Sequence, residues 1–270
     1  MSLKAWKDVF QMPLQGRSEK PRKNGLTMVI DKGIGLNLLK DLIQTAGDYI
    51  DIIKLTFGTS AFYSKNLLME KNSIITSSGI DVMPGGTFLE VASWQGVLDN
   101  YLKRAKQLGF STIEVSDGTI EISMATRKDI MKKSLDMGFK VITEVGKKDP
   151  KENLPISQIH KLISEDIKNG ASKVIIEARE AGKGVGIFNA DGKTKVEEIE
   201  KIIKGVLDVD ILIWEAPLKN QQQDLILRFG TNVNLGNIPH DEVLATEALR
   251  QGVRGDTLKK AYLEKKEWKD

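Results

Sequence analysis

From residue 26 onward the chain repeats one pattern of hydrophobic and polar positions. A short apolar run rich in Val and Ile is followed by a turn with Gly or charged residues and then by a longer stretch of helical period. Continuous apolar runs with β-branched residues are typical of parallel strands buried on both faces. The runs are LTMVID (26–31), YIDIIKL (49–55), GIDVMPG (79–85), STIEVSD (111–117), KVITEVG (140–146), KVIIEAR (173–179), ILIWEAP (211–217) and TNVNLGN (231–237).

Amphipathic stretches such as GLNLLKDLIQTAG separate these runs, and several end in Gly just before the next strand. Gly at that position supplies the left-handed cap of a helix. Because strand and helix alternate about eight times, the pattern predicts an α/β fold, a single-domain (β/α)8 TIM barrel, rather than an open doubly wound sheet. We expect the barrel over 26–255, an N-terminal extension over 1–25 and a charged C-terminal tail or helix over 256–270.

Composition narrows the classes of function. The 270 residues include 40 Lys+Arg and 37 Asp+Glu, and the resulting charge of +3 is too small to indicate a nucleic-acid partner. The absence of Cys excludes thiol chemistry and fits a reducing cytosol. Since the only histidines are His160 and His240, a His-rich metal site is a poor fit. No apolar run suits a membrane span, so we expect a cytoplasmic protein with no membrane partner. The sequence leaves a homo-oligomer open.

A polar residue stands late in nearly every apolar run, in strings such as VID, IIK, TIE and IWE. Side chains alternate between the two faces of a strand, and barrels carry their chemistry at the carboxyl ends of the strands. We therefore expect these polar side chains to meet in the barrel mouth. They are Asp31, Lys54, Glu114, Glu144, Glu177, Glu215 and Asn234.

Several acids in one mouth need compensating positive charge. Like charges about 4 Å apart repel by several kcal/mol at an effective dielectric constant near 20. The cations at hand are Lys32, Lys54, Lys147, Lys148 and Arg179, and a divalent ion is a further source. Oxygen ligands without His or Cys favour Mg²⁺, so the pattern predicts a carboxylate site that holds Mg²⁺ and binds an anion. For each acid taken singly, an ion pair with a lysine of a neighbouring strand is the alternative.

Anion binding is indicated by a guanidinium and by glycine-rich turns. Arg179 follows Glu177 by two residues and is suited to a carboxylate or phosphate, although a simple pair with Glu177 or Glu215 fits equally well. The stretches PGGT, GKGVG and LGN follow the third, sixth and eighth runs and offer backbone N–H groups to phosphate. Of the adjacent Lys147 and Lys148 only one can point inward, and strand parity favours Lys148.

Several longer motifs occur in order over about residues 20–258: EVSDGTI (114–120), TEVGKK (143–148), IIEAREAGKGVGIF (175–188), IWEAP (213–217), VNLGNI (233–238) and ALRQGVRGDTL (248–258). Through them the chain resembles the phosphosulfolactate synthase family of methanogens and spore-forming bacilli, which also includes a plant heat-stress-associated protein. The resemblance implies a (β/α)8 barrel and a carbon–sulfur lyase that adds sulfite to phosphoenolpyruvate with Mg²⁺, giving (2R)-2-phospho-3-sulfolactate. The product would serve sulfolactate or coenzyme M biosynthesis.

The resemblance also implies roles for individual residues. It favours Lys147 as the proton donor, against the parity that favours Lys148, and it makes Arg179 a ligand of phosphate or sulfite and Lys54 part of the catalytic group. The implied phosphate ligands are Gly182, Gly184, Gly236 and Asn237, and we expect Lys32 and Lys148, among the cations at hand, to bind substrate as well. The implied Mg²⁺ ligands, or residues that orient them, are Glu144, Glu177 and Glu215, and we expect Asp31 and Glu114 of the mouth to belong to the same set.

Two other classes of function stay open at this point. A strand-borne lysine, for which Lys54 is the candidate, suits a Schiff-base aldolase acting on a phosphorylated carboxylate, and the acids suit a metal-dependent one. The barrel can also be a non-catalytic stress-protection protein, as the resemblance to the plant relative allows.

Overall fold

The computed structural model describes residues 4–149, 151–152, 154–179 and 181–267. Eight parallel strands form one sheet in the order β3-β2-β1-β8-β7-β6-β5-β4. They are β1 Thr27–Asp31, β2 Ile52–Leu55, β3 Asp81–Pro84, β4 Thr112–Val115, β5 Lys140–Val145, β6 Lys173–Ile176, β7 Leu212–Glu215 and β8 Leu235–Pro239.

Helices follow each strand and form the outer layer. They are α1 Leu36–Ala46, α2 Lys65–Ser77, α3 Gly86–Trp94, α4 Leu98–Gln107, α5 Met124–Asp136, α6 Ile156–Lys168, α7 Val196–Lys204, α8 Lys219–Phe229, α9 Val243–Arg250 and α10 Gly255–Glu267. The third connection holds two helices, α3 and α4, and α10 packs on α8 and α9 after the last strand. No helix in the described part of the chain is both long and apolar enough to span a membrane.

The two ends of the sheet, β3 and β4, meet through Ser111. Its backbone N–H donates to the Val82 carbonyl at 3.1 Å, and its Oγ accepts from the Val82 N–H at 2.9 Å. The sheet is thus a nearly closed barrel, and the prediction of a single-domain (β/α)8 barrel is confirmed.

Strand alternation divides the apolar side chains into two clusters. The smaller one fills the barrel interior, and the larger one lies between the strands and the helices. The interior cluster consists of Leu26, Met28, Ile52, Met83, Ile142, Ile175 and Ile213. Because residues two apart on a strand share a face, this cluster identifies which side chains further along each strand reach the mouth.

The predicted glycine caps occur where helices lead into strands. Gly109, Gly138 and Gly170 have φ of 81°, 75° and 98°, the left-handed region that residues with a Cβ rarely adopt. These turns let α4, α5 and α6 reverse directly into β4, β5 and β6.

The N-terminal segment runs along the underside of the barrel. Arg17 Nε donates to Glu247 Oε1 at 3.0 Å, and the Leu14 N–H donates to the Gln251 carbonyl at 3.1 Å. Both partners belong to α9 or its end, so residues 14–17 contact the helix that follows the last strand.

The eighth strand lies further along the chain than predicted. It begins at Leu235, and Asn234 precedes it at the opposite end of the barrel from the mouth. Asn234 Oδ1 accepts from the Leu26 N–H at 3.0 Å, and its Nδ2 donates to the Leu212 carbonyl at 2.8 Å. The expectation that Asn234 belongs to the mouth is wrong, because its amide joins the starts of β1 and β7.

Candidate functional site

A cavity of about 330 Å³ opens at the carboxyl ends of the strands. A second, larger cavity of about 420 Å³ lies among α2, α3 and α4, but mostly apolar side chains line it. The mouth cavity is the better candidate for anionic chemistry because it gathers carboxylates, cations and hydroxyl groups. Its lining comprises Ile30, Lys54, Thr56, Phe57, Gly85, Gly86, Thr87, Glu114, Thr119, Glu144, Lys148, Glu177, Arg179, Glu215 and Asn237.

Lys54 of β2 lies at the centre of the predicted ring of acids. Its Nζ is 2.8 Å from Glu114 Oε2, 3.2 Å from Glu144 Oε2 and 3.5 Å from Glu215 Oε1. The four side chains are almost fully buried, so their charges are little screened by solvent. Burial disfavours the Lys54 ammonium, but Glu114, Glu144 and Glu215 raise its pKa well above the ordinary value.

Lys148 carries the second positive charge of the cavity. Its Nζ lies 3.1 Å from Glu144 Oε1 and 3.7 Å from Glu177 Oε2, and it donates to Thr87 Oγ1 at 2.9 Å. Burial again disfavours the charge, yet Glu144 and Glu177 raise the pKa of Lys148 above its usual value. Both lysines are therefore ammonium ions at neutral pH.

Backbone N–H groups fix three of the glutamates. Glu114 Oε1 accepts from the Gly86 N–H at 2.7 Å, Glu215 Oε2 from the Ala178 N–H at 3.0 Å, and Glu177 Oε1 from the Arg179 N–H at 2.6 Å. Gly86 is required for this approach, since a Cβ there would lie 2.7 Å from Glu114 Oε1.

The acids differ in their affinity for protons. Burial raises the pKa of Glu114 to about 7 and that of Glu177 well above its ordinary range, where Glu144 and Glu215 add to the effect. Burial also works against ionisation of Glu144, but Lys148 and Lys54 hold its pKa below the usual range. Neighbouring carboxylates without enough cations cannot all ionise, so Glu114 and Glu177 keep their protons to a higher pH than an ordinary glutamate, while Glu144 is charged.

The raised pKa of Glu114 predicts that the free energy of unfolding depends on pH. The measurement is made in EDTA, which keeps metal ions away from the acids. Glu114 binds its proton more tightly in the folded than in the unfolded chain, so its contribution to the free energy of unfolding is present below about pH 4.5 and is lost as the pH rises through about 7. One such group gives a slope of about 1.4 kcal/mol per pH unit. Urea unfolding at pH 5 and pH 7 measures the slope, and Glu114→Gln should flatten it. A slope equal in the two proteins would contradict the prediction.

Asp31 lies outside the cavity, and its predicted place in the mouth is wrong. Its Oδ2 is 2.5 Å from Nζ of the buried Lys71 of α2, and its Oδ1 accepts from the N–H groups of Gly33 and Ile34 at 2.7 and 2.9 Å. The side chain points outward from β1 to the helix layer, so it cannot share a metal ion with the acids of the mouth.

Lys147 and Lys32, in the loops that follow β5 and β1, do not line the mouth cavity. Lys147 Nζ donates to the Asp117 carbonyl at 2.8 Å, and the side chain faces a neighbouring cavity beside α6 and α7. Lys147 therefore lies outside the lining of the mouth cavity, whereas Lys148, the residue that strand parity favoured, lines it. Lys32 is exposed, with Nζ 5.8 Å from the centroid of the Phe57 ring.

Some of the predicted phosphate ligands line the mouth cavity, and others lie outside it. Asn237 lines the cavity with φ of 54°, and Arg179 lines it with φ of 62° and donates from Nη1 to the Lys148 carbonyl at 2.7 Å. Gly182, Gly184 and Gly236 do not line it. The Gly182 carbonyl accepts from Gln221 Nε2 at 2.6 Å, and a Cβ on Gly236 would lie 2.7 Å from Met28 Cε inside the barrel.

Other lining residues were not anticipated. Thr56 and Phe57 follow β2, Thr87 lies in the first turn of α3, and Thr119 lies in the loop after β4. Thr87 belongs to the PGGT turn, which the sequence indicated as a candidate phosphate loop. An isolated threonine or phenylalanine after a strand looks like any other loop residue in the sequence, so the other three could not be predicted. Within the part of the chain that the structure describes, no group of three or more His or carboxylate side chains is arranged to hold a metal ion.

Comparison with known proteins gives the family. The model of the (2R)-phospho-3-sulfolactate synthase (ComA) family matches residues 15–256. A phosphosulfolactate synthase of Methanocaldococcus jannaschii is 45% identical over 88% of this chain and 95% of its own, and one of Bacillus subtilis is 37% identical over 92% and 98%. The Arabidopsis thaliana protein HEAT-STRESS-ASSOCIATED 32 is 24% identical over 87% and 89%.

Among solved structures, the YdjI aldolase of Escherichia coli superposes with a TM-score of 0.52 at 12% identity, covering 90% of this chain and 91% of that one. This likeness concerns the barrel alone. The match of the family model and the identity to two synthases extend through the strands that carry the mouth residues. The chain therefore belongs to the phosphosulfolactate synthase family of enzymes.

Proposed function

We propose that this chain catalyses the addition of sulfite to phosphoenolpyruvate, giving (2R)-2-phospho-3-sulfolactate. Membership of the family supports the reaction class, and the observation that carries the proposal is the pair of protonated lysines, Lys54 and Lys148, held among acids in the barrel mouth. An addition of this kind gathers anionic reactants and creates further negative charge, so positioned cations are what it requires.

The reaction balances with one proton donor. The sulfur lone pair of sulfite forms a bond to the methylene carbon, C3, and the π electrons of the C2–C3 bond move onto C2 and the carboxylate. A proton then adds to C2, while the phosphate ester stays intact. We assign this proton to the Lys148 ammonium, which lines the cavity and regains a proton from solvent afterwards. Delivery from one face of C2 would set the stereochemistry.

The balance of charge in the cavity indicates how a bound metal ion would help the reaction. Among the described lining residues four carboxyl groups face three cations, so the cavity has surplus positive charge for an anionic substrate only where at least two of the carboxyl groups keep their protons or a further cation binds. Mg²⁺ in proteins usually takes one or two carboxylates and completes its shell with water and substrate oxygens. Glu144 and Glu177 fit this role, because Glu144 Oε1 and Glu177 Oε2 accept no backbone hydrogen bond and face Lys148, the more exposed of the two lysines, at 3.1 and 3.7 Å.

The remaining members of the predicted ligand set fit less well. Glu114 and Glu215 already have one oxygen on a backbone N–H and the other toward Lys54. When bound, Mg²⁺ would act as a Lewis acid toward the charge that develops on the substrate carboxylate. Lys54 orients Glu114, Glu144 and Glu215, and Arg179 and Asn237 at the rim are placed to contact substrate oxygens.

A Schiff-base aldolase would require a different protonation state of Lys54. A Schiff base forms from a neutral amine, whereas Glu114, Glu144 and Glu215 hold the proton on this lysine. Borohydride treatment in the presence of pyruvate tests the point, because a covalent adduct on Lys54 would overturn the proposal.

The direct test is product formation from phosphoenolpyruvate, sulfite and Mg²⁺, followed by phosphorus NMR. We expect a new phosphate-ester signal with the wild-type chain, complete loss of turnover in EDTA, and recovery when Mg²⁺ is added in excess. Turnover that persists in EDTA would show that the acids act only as partners of the lysines. Absence of product under all conditions would favour a non-catalytic barrel.

A further inference from the structure

Glu90 of α3 lies just outside the lining of the cavity, with a side chain that is 1% exposed. Its carboxylate accepts three hydrogen bonds. Ser116 Oγ donates to Oε1 at 2.8 Å, and the N–H groups of Thr119 and Ile120 donate to Oε2 at 2.9 and 2.7 Å. One buried carboxylate therefore holds the loop 116–120 between β4 and α5.

The same loop holds Lys148. The Lys148 N–H donates to the Gly118 carbonyl at 3.0 Å, and a Cβ on Gly118 would lie 3.2–3.3 Å from the carbons of the Lys148 side chain. Thr119, which is anchored by Glu90, lines the cavity itself. In addition, Glu90 Oε1 lies 4.0 Å from Lys148 Nζ. Glu90 thus acts on Lys148 both through the loop backbone and through its charge.

A purely structural link between α3 and this loop would not need a charge. A buried carboxylate is costly to desolvate, and a neutral side chain could accept the same backbone hydrogen bonds. The charge has a use where the carboxylate faces an ammonium group, because it draws that group toward one side of the cavity. Glu90 and Thr87 of α3 thus lie on one side of the Lys148 ammonium, and Glu144 and Glu177 of the strand ends hold it as well.

We propose that Glu90 is a positioning residue, which fixes the β4–α5 loop and directs the Lys148 ammonium toward the substrate. This inference rests on the proposed function, since Lys148 is its assigned proton donor. Gly86 and Thr87 at the start of α3 already line the cavity, and the proposal adds a residue one turn further along this helix.

Glu90→Gln tests the proposal with one readout that requires turnover and one that does not. We expect kcat to fall about tenfold, with KM for phosphoenolpyruvate changed less than about threefold, because the donor is displaced while the rest of the cavity is intact. In protein labelled with ¹³C at lysine Cε, the Lys148 signal, assigned with Lys148→Arg, should shift. Glu121→Gln, at an exposed glutamate just after the loop, is the control and should change neither readout.

The outcomes separate the two proposals. If Glu90→Gln leaves both kcat and the Lys148 signal as in the wild type, the positioning role is overturned. If the wild type forms no product, the proposed function fails by itself, and the shift of the Lys148 signal still decides whether Glu90 positions this side chain. Glu90→Asp keeps the charge and replaces the Gln variant should that variant not fold; its shortened side chain should shift the same signal.

Discussion

Replacing Lys148 by methionine is expected to lower kcat for sulfite addition by about 100-fold or more. Lys148 is the lysine of the GKK motif that reaches the cavity, and its ammonium group contacts Glu144 and Glu177 beside Thr87. Methionine preserves most of the length and volume of the side chain but has no proton to give. Steady-state kinetics with phosphoenolpyruvate and sulfite at saturating Mg²⁺ measure the effect.

Lys147→Met is the matched variant. Its ammonium donates to the Asp117 carbonyl and lies about as close in sequence to the strand end, so it differs from Lys148 mainly in direction. We expect kcat within about threefold of the wild type for this variant, because its side chain lies outside the mouth cavity. A hundredfold loss with Lys147→Met and none with Lys148→Met would reverse the assignment in favour of the residue that the family resemblance indicated.

The sequence predicted those site residues whose direction is determined by the two-residue alternation of side chains along a β-strand. Glu144 and Glu215 lie two residues after Ile142 and Ile213, which are in the barrel interior, and they accordingly reach the mouth. The fold followed for a similar reason, since the alternation of apolar runs and amphipathic stretches leaves few topologies that bury every strand on both faces.

The outward direction of Asp31 could not be predicted from its own strand alone. In the register of β1 and β2, Ile30 is paired with Lys54 and Asp31 with Leu55. Neighbours in register point to the same side of the sheet, so Asp31 faces outward although its local string matches that of the other strands. A single-strand pattern cannot supply the register between strands, and the error was therefore invisible in the sequence.

The places of loop residues were harder to predict than those of strand residues. The GKGVG turn, predicted to contact phosphate, lies outside the lining of the mouth cavity, and its Gly182 carbonyl accepts from Gln221 of α8. Glu90 gave no signal, because a glutamate between Leu89 and Val91 is common on a helix surface. Its proposed importance depends on a tertiary contact with a loop 26 to 30 residues further along the chain, from Ser116 to Ile120.

Lys54→Met should lower the free energy of unfolding by about 3–5 kcal/mol at pH 8, the usual cost of removing one partner from a buried ion pair. Lys54 is the shared partner of Glu114, Glu144 and Glu215, and its loss leaves their negative charges facing one another. Urea unfolding measures the change. Lys40→Met removes a lysine whose pair with Glu70 is exposed, and it should cost less than about 0.5 kcal/mol.

The loss should depend on pH and on the acids that remain. At pH 5.5 Glu114, whose pKa is already about 7, can keep its proton, so Lys54→Met should cost less there than at pH 8. Glu114→Gln added to Lys54→Met removes the acid nearest to the missing ammonium and should restore part of the stability, giving a coupling of about 1 kcal/mol or more. Additive effects in this double-mutant cycle would mean that the two side chains do not balance each other's charge. The central lysine would then have to be explained by catalysis alone, although its distances to the three carboxylates are those of ion pairs.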